Sequence, residues 1–252
     1  MDAQHKGRLA VVTGAAGEIG REVVSRLVAA GAKVLAVDLD PLALQQMEKD
    51  FGSAVKTVVA DVADEASVQN YAEMAARLGN GKVDLFFNNA GIEGPVAPVT
   101  EQDVKRFDMV IGVNVRGVFL GLKHILRLMG QGGVVVNTAS TAALRGAVGL
   151  SPYIASKHAV LGLTKTAALE VADKGIRVCA VCPGPVEGKM MNRITEKRGT
   201  VKGATAPSRG VGLGGGRLAK VDEIAAAILF LFSDEASFVT GVPFIVDGGR
   251  SA

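Results

Sequence analysis

The chain has 252 residues, 48% hydrophobic and 21% charged, which suits one large α/β domain whose core needs neither metal nor disulfide. Its formal net charge of +3 is too small to indicate a nucleic-acid or membrane-surface partner. No unbroken apolar run reaches the ~20 residues that span a bilayer, and the polar start over residues 1–8 lacks a signal-type apolar stretch, so a cytoplasmic protein is expected.

In chain order, short β-branched runs alternate with longer helical patterns. Strands are predicted over 9–13, 33–37, 55–60, 83–88, 133–138, 177–182 and 244–246. Helices are predicted over 18–30, 41–50, 65–78, from about 101 to 129, from 152 to about 173, and over 221–232. Several strands are apolar at nearly every position, which indicates a parallel sheet buried on both faces. The repeated β-α-β order predicts a single doubly wound α/β domain of about seven strands, with right-handed crossovers and helices on both faces. One region breaks the rhythm. Residues 187–220 hold eight glycines, eight Lys/Arg and two Glu, and read as a mobile flap over a substrate site.

Where the first strand meets the first helix the sequence is Thr13-Gly14-Ala15-Ala16-Gly17-Glu18-Ile19-Gly20. Glycines there let the backbone approach a pyrophosphate, and the helix N-terminus presents free N–H groups. About 20 residues on, the second strand ends in Asp38, a carboxylate placed to accept adenosine ribose hydroxyls and to repel a 2′-phosphate. Leu39 follows where an arginine would favour NADP, so NAD is expected. Cys179 and Cys182 have C-x-x-C spacing, but on a strand positions three apart point to opposite faces. A buried structural role is expected for both, and no metal.

Tyr153 and Lys157 are four apart on the predicted fifth helix, hence on one face. A tyrosine that exchanges protons near neutral pH needs its phenolate favoured, and a neighbouring ammonium does that. Ser140 lies just past the end of the fifth strand, and Asn114 on the long fourth helix.

With these residues in order, the chain resembles the short-chain dehydrogenase/reductase family over essentially its whole length. The resemblance rests on the Thr13–Gly20 turn, Asp61-Val62, Asn88-Asn89-Ala90-Gly91, Asn114, Ser140, Tyr153, Lys157, Pro183-Gly184 and Val246-Asp247-Gly248-Gly249. It implies a Rossmann-type fold and hydride transfer between NAD(H) and a small secondary alcohol or ketone. Tyr153 would be the general acid/base, Ser140 would hold the substrate oxygen, and Lys157 would bind the nicotinamide ribose and tune Tyr153. Asn114 would hold a relay water. Gly14, Gly17, Glu18, Ile19 and Gly20 would face the pyrophosphate, with Asp38 and Leu39 at the ribose and Asp61 and Val62 at the adenine. Asn89, Ala90 and Gly91 would line the ribose path, and Pro183, Gly184 and Val186 the nicotinamide. Glu93, Ala142, Leu150, Pro185, Met190 and Met191, with Ser140 and Tyr153, would form the substrate pocket. Small residues on the helices near 101–129 and 152–173 fit the family's dimer faces, and a homotetramer is expected.

Two positions depart from the family pattern. Glu18 stands where the first turn usually has glycine, so its carboxylate is expected to point away from the pyrophosphate. Gly188 stands where a threonine usually contacts the carboxamide. The alternatives are a catalytically silent nucleotide sensor and an enoyl reductase of the same fold. The 187–220 segment carries a net +6, which would attract an anionic substrate or simply face water. Arg145 reads as a surface residue, and His5, His124 and His158 have no catalytic setting.

Overall fold

The computed structural model describes residues 4–198, 201 and 212–252. Its strands are β1 (Leu9–Thr13), β2 (Lys33–Asp38), β3 (Val55–Val59), β4 (Leu85–Asn88), β5 (Val134–Thr138), β6 (Arg177–Pro183) and β7 (Pro243–Val246). They form one sheet in the order β3-β2-β1-β4-β5-β6-β7, and every neighbouring pair is parallel. Every residue of β1 and β4 is buried, which is what their continuous apolar sequence requires. Alternate residues feed opposite cores: Leu9 and Val11 one, Ala10 and Val12 the other. Cys179 and Cys182 divide in the same way, and burial pushes both free thiols up to about 11.

One core is covered by α1 (Glu18–Ala29), α2 (Pro41–Phe51) and the last helix, α9 (Val221–Phe232). The other is covered by α3 (Glu65–Leu78), α5 (Gly117–Ile125) and α6 (Ser151–Glu170). The carboxylates of Asp40, Asp64 and Asp103 accept the first backbone N–H groups of α2, of α3 and of α4 (Val104–Ile111), meeting donors that a helix start otherwise leaves unpaired.

Two expectations need correction. The helix predicted from about 101 to 129 is not regular. It runs as α4, a π-helical segment Gly112–Arg116, α5 and a 3-10 turn Leu126–Leu128. The extra residue in the π turn carries Asn114 inward, fully buried. By length and composition alone, Val104–Leu128 is apolar enough to cross a membrane, with a mean hydropathy of 1.4, but in the fold it packs on α3 and α6. The region expected as a flap contains a ten-residue helix, α7 (Lys189–Arg198), and a single turn, α8 (Leu213–Gly216). Residues 199–200 and 202–211 of that region lie outside the described residues.

From β1 the chain winds outward to β3, then returns to β4 and winds the other way to β7. Crossovers therefore diverge between β1 and β4, and a crevice opens at the C-terminal ends of those strands.

Candidate active site

A cavity of about 720 Å³ fills that crevice. Its floor at one end is the turn after β1. Gly14 has φ +62°, and a Cβ there would lie 2.9 Å from Ala90 Cα, so the turn presses against the loop after β4. Gly17 precedes α1 and offers no side-chain cap. Glu18, Ile19 and Gly20, the first residues of α1, line the cavity at the electropositive end of the helix, a seat suited to a phosphate group. Asp38 marks the cavity edge. Its Oδ2 accepts from Ala16 N at 2.9 Å, and its Oδ1 from Leu39 N at 2.7 Å and Asp40 N at 3.2 Å. One lone-pair position on Oδ2 is left for a hydroxyl donor. Leu39, Asp61, Val62, Ala90 and Gly91 line the same end, and Pro183, Gly184 and Val186 the opposite wall. Asn89 ties the two sides together. Its Nδ2 donates to the carbonyls of Thr13 and Gly14, each at 3.2 Å, and its Oδ1 accepts from Thr138 Oγ1 at 3.0 Å. These residues fit a dinucleotide: an uncapped helix start, a carboxylate at the second strand's end, and a backbone that closely approaches the cavity.

Toward the other end, α6 presents Tyr153 and Lys157 from one face into the cavity. The Lys157 ammonium lies 5.5 Å from the Tyr153 ring centre and donates to the Thr138 carbonyl at 2.8 Å. Burial pushes Lys157 down to about 8. Ser140 sits past the end of β5, its hydroxyl 3.4 Å from the Pro183 carbonyl and accepting from Ala142 N at 3.1 Å. Burial raises the Tyr153 hydroxyl above its ordinary value, hydrogen bonding with Ser140 pulls against that rise, and the Glu93 charge adds to it. In the ligand-free protein burial is thus the dominant influence on the Tyr153 hydroxyl. Asn114 Nδ2 donates to the Ile92 carbonyl at 2.9 Å and to Ser156 Oγ at 3.0 Å, and its Oδ1 accepts from Ile92 N at 2.8 Å. A Cβ on Gly91 would lie 3.3 Å from Asn114 Oδ1 and 3.5 Å from Lys157 Nζ, so these three residues adjoin.

Of the expected substrate residues, Ala142, Leu150, Pro185, Met190 and Met191 line the cavity beside Ser140 and Tyr153. Glu93 does not, which corrects its assignment. Its carboxylate is buried and accepts from Arg193 of α7, Nε at 2.6 Å and Nη2 at 3.2 Å. Burial is the largest single influence on the Glu93 carboxyl and pushes it up, but the Arg193 hydrogen bonds, a backbone hydrogen bond and the Arg193 and Lys197 charges together hold it below the usual carboxylate range.

The profile of the enoyl-(acyl carrier protein) reductase family matches residues 14–251. Levodione reductase of Leifsonia aquatica is 38% identical, over 97% of this chain and 94% of that one. Its crystal structure superposes with a TM-score of 0.89 at 37% identity, covering 98% of each chain. The chain belongs to the short-chain dehydrogenase/reductase family. The 3beta-hydroxysteroid dehydrogenase 2 of Eggerthella lenta is 37% identical over 98% of this chain and 95% of that one. A crystal structure of NAD+-bound xylitol dehydrogenase matches with a TM-score of 0.86 at 30% identity, covering 98% of this chain and 100% of that one.

As a short-chain dehydrogenase/reductase the chain is an oxidoreductase, and its two departures from the family pattern acquire positions. The Glu18 carboxylate does point out of the first turn, and both of its oxygens accept from Lys189 N at 3.2 Å. Gly188 lies against it. Sequence reasoning missed Thr138, whose carbonyl holds Lys157, and Arg193, whose partner Glu93 is distant in the chain. It also missed Ile92, Ala147 and Ile194 in the cavity wall; Arg145, read as a surface residue, is exposed and stands at the cavity lining as well. Only Thr138 carried a usable signal, as the last residue of the strand that leads to Ser140.

Proposed function

We propose that this enzyme moves a hydride between NAD(H) and a neutral secondary alcohol or ketone, often one borne on a ring, with Tyr153 as the general acid/base. The observation that carries this reading is the convergence of Tyr153, Ser140 and Lys157 on one cavity that also holds the uncapped start of α1 and Asp38. Bound nicotinamide would supply or accept the hydride. In the direction of reduction, the protonated Tyr153 hydroxyl gives its proton to the substrate oxygen, and Ser140 donates a hydrogen bond to the same oxygen. Lys157, pushed down to about 8 by burial, is able to pass a proton on within the working range. Asn114 fixes the Ile92 loop beside Lys157 and so frames the relay. Asp38 favours NAD over NADP, because a 2′-phosphate beside it would meet a carboxylate already oriented by three backbone donors.

The carbonyl end of the cavity is lined by Ile92, Ala142, Leu150, Met190, Met191 and Ile194, and Glu93 is neutralised by Arg193. That wall suits an uncharged apolar ring, in keeping with the steroid substrate in the name of one relative. An enoyl reductase is not favoured, since the named relatives cited here are alcohol dehydrogenases and ketone reductases. A homotetramer completes the proposal, with the exposed Phe107, Met109, Phe119, Leu169, Phe238 and Ile245 among the apolar side chains it would cover.

The test is steady-state turnover of a panel of cyclic secondary alcohols with NAD+ and with NADP+. The wild type should favour NAD+ at least about tenfold, and Tyr153→Phe should lose about 10²–10⁴ in kcat while still binding NADH by fluorescence. Activity retained in Tyr153→Phe, or a preference for NADP+, would refute the corresponding half.

A further inference from the structure

Positions 18 and 188 depart from the family pattern separately in sequence, yet they meet in the fold. Gly188 precedes α7 and has φ +147°. Lacking a side chain, it cannot cap the helix it introduces, so the free N–H groups of α7 must be met from elsewhere. Glu18 meets them. Both of its carboxylate oxygens accept from Lys189 N at 3.2 Å, and negative charge at that helix end is favourable. A Cβ on Gly188 would collide with the same carboxylate. One turn further along α7, Arg193 grips the buried Glu93 with two hydrogen bonds. The helix is therefore pinned by two acids, one on the dinucleotide turn and one on the loop after β4. Met190, Met191 and Ile194, which lie between and beside these pins, line the cavity.

We propose that Glu18 is a positioning residue for the substrate wall: from the dinucleotide turn it seats the first turn of α7, and Gly188 is the side-chain-free position that makes room for it. The two departures are one coupled feature. Glu18 stands where glycine is usual and Gly188 where threonine is usual, and in this chain the two positions meet. The consequence is that the shape of the carbonyl pocket depends on a residue of the cofactor turn. None of Tyr153, Ser140 and Lys157 lies on α7, so the loss of this contact falls on substrate fit more than on proton transfer. The claim about the pocket rests on reading the cavity as a dinucleotide and carbonyl site. The anchoring itself is a property of the ligand-free protein and is measurable there.

Hydrogen exchange of the ligand-free protein, read by mass spectrometry over residues 189–198, tests the anchoring. Glu18→Ala should lower protection there about fivefold with the sheet unchanged. Glu18→Gln, which keeps an acceptor oxygen, should restore most of it. Unchanged protection in Glu18→Ala overturns the proposal. Gly188→Ala, strained at its positive φ in either background, should lower protection more in the Glu18 background than in Glu18→Ala. An equal loss in both backgrounds would mean backbone strain alone and would also overturn it. In turnover assays, Glu18→Ala should raise KM for the carbonyl substrate about tenfold and lower kcat less. Lost protection with an unchanged KM would overturn the pocket claim while leaving the anchoring. A wild type inactive on every ketone and alcohol would instead refute the functional reading, and the exchange result would stand by itself.

Discussion

At the Tyr153 hydroxyl, burial and Glu93 favour the protonated form, while Ser140 opposes them. The group is therefore held protonated before any ligand arrives. The Y-x-x-x-K spacing identified Tyr153 and Lys157 because four residues is a property of the helix itself. Glu93 was misplaced because what decides its role is Arg193, a partner 100 residues away that no local pattern names. His5 offers a test at the same scale. It is buried, with neither ring nitrogen hydrogen-bonded. Burial, then the Arg8 charge, lowers its pKa against a smaller pull from Asp234. Because the folded chain resists this proton more than the unfolded chain, the unfolded state binds it first as pH falls through about 6.5. Stability then drops until the folded value is passed. Between about pH 7.5 and pH 5.5, His5→Leu should lose less stability than the wild type, measured by urea unfolding at both pH values. Equal losses would remove His5 as the cause.

Among the elements, β1, β2 and α1 lie within a residue or so of their expected bounds, because continuous apolar runs and a glycine turn are local signals. The π-helical segment Gly112–Arg116 was not legible. It is selected by tertiary pairing of Asn114 with both backbone groups of Ile92, and a helical periodicity shows nothing of that. The α7 helix was hidden for a different reason: a charged ten-residue stretch followed by a glycine-rich one reads as loop, and its stabilising contacts come from Glu18 and Glu93. Asn114→Ala removes a buried amide and leaves the Ile92 N–H and C=O and the Ser156 hydroxyl short of partners. It should destabilise the chain by about 2–3 kcal/mol, read by chemical denaturation. A cost below about 0.5 kcal/mol would mean the segment relaxes to a regular α-helix without penalty.

For the whole molecule, the doubly wound parallel sheet follows from β-α-β alternation and was legible in the sequence, whereas the strand order, and with it the crevice between β1 and β4, depends on which side each crossover takes and was not. Assembly was legible only as a family trait, and the proposed tetramer would draw on exposed apolar residues. Phe238 is fully exposed and Leu169 is 82% exposed, an arrangement that water disfavours on an isolated chain. Light scattering at micromolar concentration should give four times the chain mass, and Leu169→Asp with Phe238→Asp should reduce it. A monomeric wild type would refute the tetramer.

Asn89 joins the carbonyls of Thr13 and Gly14 to the hydroxyl of Thr138, so one amide spans three neighbouring strands at the mouth of the crevice. The half that would recognise the dinucleotide and the half that would perform the chemistry are thus not interchangeable modules. A chimera that took residues 1–80 from one relative and the remainder from another would inherit two ends of this junction from different parents. Only parents that agree at Asn89 and in the backbone path of the first turn should recombine into a working enzyme.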